Sequence, residues 1–189
     1  GWAEQKPEDW RDAALETITK VVKDSGVAAD DIKGLGISGQ MHGLVMLDEQ
    51  GEVIRPSIIW CDQRTEKECE EMTEKVGAEK LIEITANPAM TGFTASKILW
   101  VRNNEPENYA KCKHILLPKD YVRYILTGEF ATEVSDASGM QLLDVPKRQW
   151  SDELLEILDI DKSLLAKVYE SPEVTGTILP EIAAKTGLS

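Results

Sequence analysis

Glycines bracket a short polar segment whose composition suits contact with a small ligand. The segment reads Ser-Gly-Gln-Met-His-Gly over residues 38–43. Glycines allow tight turns and a close approach of the backbone to a ligand. The side chains of Gln40 and His42 both donate and accept hydrogen bonds, which suits sugar hydroxyl groups. A tight turn with a solvated histidine explains the same residues, so the pattern alone leaves both interpretations open.

A second polar cluster occupies residues 60–64, where the sequence is Trp-Cys-Asp-Gln-Arg. An indole beside a carboxylate, an amide and a guanidinium is a common set of groups in sugar pockets. The alternative is a buried Trp60 next to an Asp62 that caps a helix beginning at Thr65. The second histidine, His114, has no polar neighbours in the sequence and is interpreted as structural.

Three carboxylates, Asp62, Asp120 and Asp136, lie next to apolar segments. Each type of group can act as a general base or hold magnesium through water. No spacing among the three marks a paired site. The sequence also lacks the GxGxxG and GxxxxGK[ST] phosphate-binding motifs. Chemistry inferred from the residues alone therefore stops at a polar pocket for a small molecule.

The elements that must position these loops are a mixture of helices and strands, which predicts an α/β or α+β fold. Helices are predicted at residues 7–25, 65–76, 80–86, 94–103, 118–126, 151–158, 164–168 and 180–186. Strands are predicted at residues 32–38, 44–47, 53–60, 115–117 and 140–144, with loops at 39–43 and 135–139.

Composition limits the classes of partner. Of 189 residues, 42% are hydrophobic, which is enough for a core, and the net charge is −13. Such an acidic surface repels nucleic acid and anionic membranes, so a small-molecule partner is expected. Three cysteines without a CxxC pair argue against a disulfide framework and fit a cytoplasmic protein. No apolar run approaches the length of a membrane helix.

Residues 92–104, Gly-Phe-Thr-Ala-Ser-Lys-Ile-Leu-Trp-Val-Arg-Asn-Asn, resemble the first signature of the FGGY carbohydrate kinases. Thr94, Lys97 and Trp100 occupy its fixed positions. Residues 36–43 resemble the acceptor loop of the xylulose kinase branch, and residues 59–64 resemble that branch's Trp-x-Asp-x-Arg. Further matching segments follow in the family's order at residues 2–7, 116–121, 127–130 and 135–139.

The resemblance implies an actin-like ATPase, ribonuclease H-like fold and the ATP-dependent phosphorylation of D-xylulose to D-xylulose 5-phosphate, with Mg²⁺. It implies that Met41 and His42 touch the ketose and that Gln40 and Trp60 line the same pocket. Met41-His42 replaces the Arg-Glu pair of glycerol kinases. Kinases for ribulose or gluconate, and a sugar-binding module that never phosphorylates, stay open as alternatives.

The resemblance also implies that residues 1–189 are a partial N-terminal, sugar-binding domain. The family's first hairpin, with its Asp-x-Gly-Thr, is expected upstream of Gly1, and its catalytic Asp and nucleotide-binding domain are expected beyond Ser189. No catalytic base, nucleotide-binding residue or metal ligand is therefore assigned within the chain, which is expected to be inactive alone. The pattern leaves a homodimer open.

Overall fold

Residues Gly1–Ser189, all of which the computed structural model describes, form a mixture of helices and short strands. The helices are α1 (Pro7–Ser25), α2 (Glu66–Val76), α3 (Ala78–Thr85), α4 (Thr94–Asn104), α5 (Pro106–Lys111), α6 (Pro118–Thr127), α7 (Val134–Ala137), α8 (Asp152–Leu158) and α9 (Pro180–Thr186). The strands are β1 (Glu4–Gln5), β2 (Val45–Leu47), β3 (Ser57–Ile58), β4 (His114–Leu116), β5 (Ala131–Glu133), β6 (Leu143–Asp144), β7 (Gln149–Trp150) and β8 (Lys167–Tyr169). Single 3-10 turns lie at Ala29–Asp31, Ser138–Met140 and Lys162–Leu164.

The helix ends follow local sequence signals. Pro7 occupies the first turn of α1, where its missing N–H leaves no bond unmade, and Gly26 ends the helix at a φ of +67°. The hydroxyl of Ser151 accepts a hydrogen bond from the backbone N–H of Leu154 and so caps α8. These signals were readable from the sequence, and the predicted helices at these positions are confirmed.

Strand β2 lies at the centre of the sheet layer. It pairs antiparallel with β4, with Val45 opposite Leu116, and a single bridge from Leu44 to Ile58 joins it to β3. Strand β3 pairs antiparallel with β1. Strands β5 and β8 pair in parallel, and β6 and β7 form a short antiparallel hairpin. The residues just before β2 therefore emerge at one edge of a buried layer.

Helix α4 runs through the main hydrophobic core. Every residue from Thr94 to Val101 is buried, so the helix is enclosed on all sides rather than amphipathic. Its apolar side chains join a cluster of 24 buried residues that also includes Leu44, Ile58 and Met140. Burial on this scale holds α4 rigidly, which makes its polar side chains fixed points for any loop that they contact.

Two predicted elements are wrong. Residues 32–38, predicted as a strand, form no ladder, and residues 33–40 take part in no backbone–backbone hydrogen bond. A strand needs a partner, and this segment has none within the chain. Residues 164–168, predicted as a helix, instead contain the end of a 3-10 turn and the start of β8, because pairing with β5 outweighs the local apolar spacing.

Smaller differences concern lengths and short elements. The predicted strands at 53–60 and 140–144 reduce to β3 and β6, and the predicted loop at 135–139 contains α7 and a 3-10 turn. The carboxylate of Glu133 caps α7 by accepting from the N–H groups of Ser135 and Asp136. Helix α5 and strand β5 were not predicted.

None of the helices combines the length and the apolar character required to cross a membrane.

Candidate functional site

Loops that are distant in the sequence meet at the start of β2. The imidazole of His42 packs against the ring of Phe93, with ring centroids 4.4 Å apart. Its Nδ1 lies 3.2 Å from the carbonyl oxygen of Gly139. A Cβ atom at Gly92 would lie 3.1 Å from the carbonyl oxygen of Trp60. The first polar cluster, the start of α4 and Gly139 thus meet around His42, and the backbone of Trp60 in the second cluster lies beside Gly92.

The backbone of His42 is strained. Its φ is +67°, and the N–H of Gly43 donates to the carbonyl oxygen of Met41 at 2.9 Å. This i to i+2 bond with a positive φ at the central residue is the rarer and less stable form of the γ-turn. A side chain held in such a conformation costs on the order of 1–3 kcal/mol and persists only where the surroundings impose it.

The imidazole of His42 is held neutral with a defined tautomer. Burial, reinforced by the positive charge of Lys97, lowers the pKa of His42 from 6.5 to about 4. A carbonyl oxygen only accepts, so Nδ1 carries the proton and donates to Gly139. The other nitrogen, Nε2, then presents a lone pair. At neutral pH His42 is therefore a fixed hydrogen-bond acceptor suited to a hydroxyl donor.

Two side chains of α4 hold the His42 carbonyl oxygen. Thr94 Oγ1 donates to it at 3.0 Å and Lys97 Nζ donates to it at 3.2 Å. Lys97 Nζ also donates to the carbonyl oxygen of Gly92 at 2.8 Å, which ties the loop before α4 to the same point. Both side chains are completely buried. Lys97 forms no ion pair, and burial lowers its pKa from 10.5 to about 8.

The other predicted pocket residues differ in their surroundings. Met41 and Trp60 are large apolar side chains that are 54% and 55% exposed, so the alternative interpretation of a buried Trp60 is wrong. The amide nitrogen of Gln40 donates to Gln5 Oε1 at 2.8 Å, an oxygen that also accepts from the indole of Trp10. Gln40 Oε1 is buried without a protein partner.

Asp62 is committed to an ion pair and not to a helix cap. It is fully buried, and its carboxylate lies 2.7 Å from the guanidinium of Arg64, which is itself sandwiched against Trp2 and Trp100. Burial alone would raise the pKa of Asp62, but hydrogen bonds from Arg64 and from the N–H of Ala3 lower it overall. This carboxylate stabilises the fold and has no free lone pair directed at a ligand.

Asp120 and Asp136 belong to one ionic cluster. Lys119 Nζ lies 2.8 Å from Asp136, 3.0 Å from Asp120 and 3.2 Å from Glu133. Arg123 pairs with Asp120 as well. Burial raises the pKa of Asp136, and the charge of Lys119 opposes that rise. No group of three or more His, Cys, Asp or Glu side chains is arranged to hold a metal ion.

Phe93 and Gly139 are site residues that sequence reasoning did not single out. Thr94 and Lys97 were noted only as positions of a signature, without a role. A Cβ atom at residue 139 would lie 2.4 Å from the His42 ring, so only glycine leaves room for the imidazole. The signature and the glycine were visible in the sequence, but the contacts that explain them span 52 to 97 residues.

The architecture is that of the N-terminal domain of a sugar kinase with an actin-like ATPase fold. The model of the FGGY family of carbohydrate kinases, N-terminal domain, matches residues 1–189. The xylulose kinase of Bacillus subtilis (strain 168) is 45% identical over 188 residues, which cover 100% of this chain. The chain belongs to the FGGY family of carbohydrate kinases.

Solved structures agree with this family. The xylulose kinase of Rhodospirillum rubrum and the gluconate kinase of Lactobacillus acidophilus each superpose with a TM-score of 0.91 at 27% identity. Both comparisons cover 100% of this chain and 38% of the other chain. The present chain likewise spans 38% of the length of the B. subtilis relative.

Proposed function

We propose that residues 1–189 form the sugar-binding domain of an enzyme that phosphorylates D-xylulose to D-xylulose 5-phosphate with ATP. The proposal rests on family membership and on relatives that are named xylulose kinases at up to 45% identity over the whole chain. The activity belongs to the complete protein, because the chain spans 38% of those relatives.

The observation that carries the proposal is the state of His42. It is a neutral histidine, fixed in its tautomer by Gly139, whose Nε2 can accept from a sugar hydroxyl. Met41 precedes it in the chain, and the exposed apolar side chains of Met41 and Trp60 suit the C–H faces of a sugar. In this assignment His42 and Met41 contact the ketose, and Trp60 and Gln40 line the pocket.

Within the reaction, this chain binds and orients the acceptor. Positioning a hydroxyl for in-line attack is a large part of catalysis in phosphoryl transfer. The three candidate carboxylates, Asp62, Asp120 and Asp136, are all held in ion pairs, so none is assigned as the base. We assign the binding of ATP and Mg²⁺, and the general base, to parts of the complete protein outside residues 1–189.

The unpaired segment 33–40 supports the proposal that further chain completes this domain. Eight successive residues without backbone partners, flanked by the cleft between α1 and α6, suit the addition of a strand. We propose that a hairpin of the complete protein pairs there. We also place the enzyme in the cytoplasm, where ATP is available and where the three unpaired cysteines would stay reduced.

A kinase for another sugar is the second candidate. The gluconate kinase of Lactobacillus acidophilus superposes as well as a xylulose kinase does, which favours keeping gluconate in the comparison. A sugar-binding module without kinase activity is the remaining alternative. The overall fold does not separate these functions, because one fold supports several acceptors.

The test is sugar-dependent release of ADP by the complete gene product. D-xylulose, ribulose, gluconate and glycerol are compared under one set of conditions. We expect the largest kcat/KM with D-xylulose. A larger value with ribulose or gluconate would keep the kinase and replace the substrate. Sugar binding without ADP release from any of the four would favour the binding module.

A further inference from the structure

We propose that Lys97 and Thr94 are positioning residues that form a two-donor clamp on the carbonyl oxygen of His42, and that this clamp sets the direction of its imidazole toward the sugar. The inference rests on the proposed function in one respect, the assignment of His42 to the sugar. The clamp itself stands on the contacts of the two side chains.

The conformation of His42 requires an external restraint. Residues with positive φ are normally glycine, and the loop already has glycines at positions 39 and 43. Residue 42 instead carries a bulky ring at φ +67°. Both donors to its carbonyl oxygen come from the first turns of α4, which is buried on every side. A rigid helix thus holds the strained residue from the backbone side, while Gly139 and Phe93 hold the ring.

The identity of Lys97 supports a role beyond stability. It is completely buried, it has no ion-pair partner, and its ammonium group donates only to the carbonyl oxygens of His42 and Gly92. A buried charge without a carboxylate partner is costly, and an apolar side chain of similar length would suit the core better. Lys97 therefore holds together two loops of the site, the one that contains His42 and the one that contains Gly92.

The primary test compares sugar kinetics of the complete enzyme with Lys97→Met, which keeps length and removes the donor. We expect the KM for the sugar to rise by no more than the roughly twofold to tenfold expected for His42→Ala, because Lys97 acts on the sugar only through the His42 ring, with the KM for ATP unchanged. The midpoint of unfolding should stay the same or rise, because a buried charge is removed. A lower midpoint with an unchanged sugar KM would overturn the proposal and make Lys97 purely structural.

A double-mutant cycle separates positioning from other effects. If Lys97 acts through the His42 ring, Lys97→Met should add little to the sugar KM of a His42→Ala enzyme. Full additivity of the two changes would overturn the proposed route through His42.

Threonine provides a matched pair that keeps the proposal testable if Lys97→Met does not fold. Thr94→Ser retains the hydroxyl donor and should keep a sugar KM near that of the wild type. Thr94→Val has a similar shape without the hydroxyl, and its sugar KM should rise several-fold. Equal behaviour of the two variants would count against the clamp.

A measurement without sugar distinguishes failure of the clamp from failure of the proposed function. The ring nitrogens of His42 are followed by NMR in the complete protein, with the signal assigned by its absence from His42→Ala. We expect the fixed Nδ1–H tautomer in the wild type and an averaged tautomer signal in Lys97→Met. An unchanged signal in Lys97→Met would overturn the clamp, whichever sugar the enzyme uses.

Discussion

Replacing His42 with alanine tests the central assignment most directly. The change removes the Nε2 acceptor, the hydrogen bond from Nδ1 to Gly139 and the contact with Phe93. It leaves the backbone carbonyl oxygen in place, so Thr94 and Lys97 retain their acceptor. The expected defect therefore lies in recognition of the sugar and not in the connection between the loop and α4.

The size of the effect follows from the protonation state of the ring. Because the pKa of His42 is about 4, the lost interaction with the sugar at neutral pH is a hydrogen bond between neutral groups. Such bonds contribute about 0.5–1.5 kcal/mol net, which corresponds to roughly a twofold to tenfold rise in the KM for the sugar. The KM for ATP should change by less than about twofold, since His42 is not assigned to the nucleotide.

The assay is initial-rate kinetics of the complete enzyme with the sugar and ATP varied in turn. His114→Ala is the matched control: His114 pairs with Leu47 at the far end of β2 and stacks on Phe130, away from the site. It should leave the sugar KM unchanged. An unchanged sugar KM in His42→Ala, or an equal rise in both variants, would refute the pocket assignment.

Three further predictions follow from the geometry. As the pH falls below about 5, the sugar KM should rise because His42 approaches its pKa of about 4, and this rise should be absent from His42→Ala. The contribution of His42 to the free energy of unfolding should decrease as the pH falls from 6.5 to about 4, because in that range the unfolded chain binds the proton and the folded chain does not. Gly139→Ala should raise the sugar KM by about as much as His42→Ala, roughly twofold to tenfold, since its Cβ would lie 2.4 Å from the ring; kinetics of the two variants check this. Asp62→Asn should lower the unfolding free energy in urea by about 3 kcal/mol, the low end for a broken buried ion pair, because Glu4 still pairs with Arg64.

Local signals explain which parts of the fold were predictable. The helix beginning at Pro7 and the helix capped by Ser151 carry their start signals in adjacent residues, and both were located from the sequence. Strand β8 was missed because its stability comes from parallel pairing with β5, more than thirty residues earlier, as in Thr132 opposite Val168. The strand propensity of a segment does not indicate a pairing strand that lies so far away in the sequence.

The same distinction applies to the site. Residues 40–42 and Trp60 were predicted as pocket residues because polar and aromatic groups cluster within each segment and because those segments resemble a family. The union of the segments around His42 depends on Gly139, Phe93 and Lys97, whose contacts join positions up to 97 residues apart. No local pattern encodes such contacts, so the sequence indicated the candidate residues and not their arrangement.

The positions that break local rules lead to the same site without any reference to relatives. Five non-glycine residues have positive φ. Four of them lie at the end of a helix or in the β6–β7 turn, where such angles are common: Ala86, Gln141, Arg148 and Asp159. His42 alone lies in an irregular loop, and the completely buried Lys97, a lysine without an ion pair, donates to its carbonyl oxygen. A strained backbone and an unpaired buried charge are each costly, and their direct contact is the pattern expected where stability is given up for the geometry of a functional site, in agreement with the proposed role of His42.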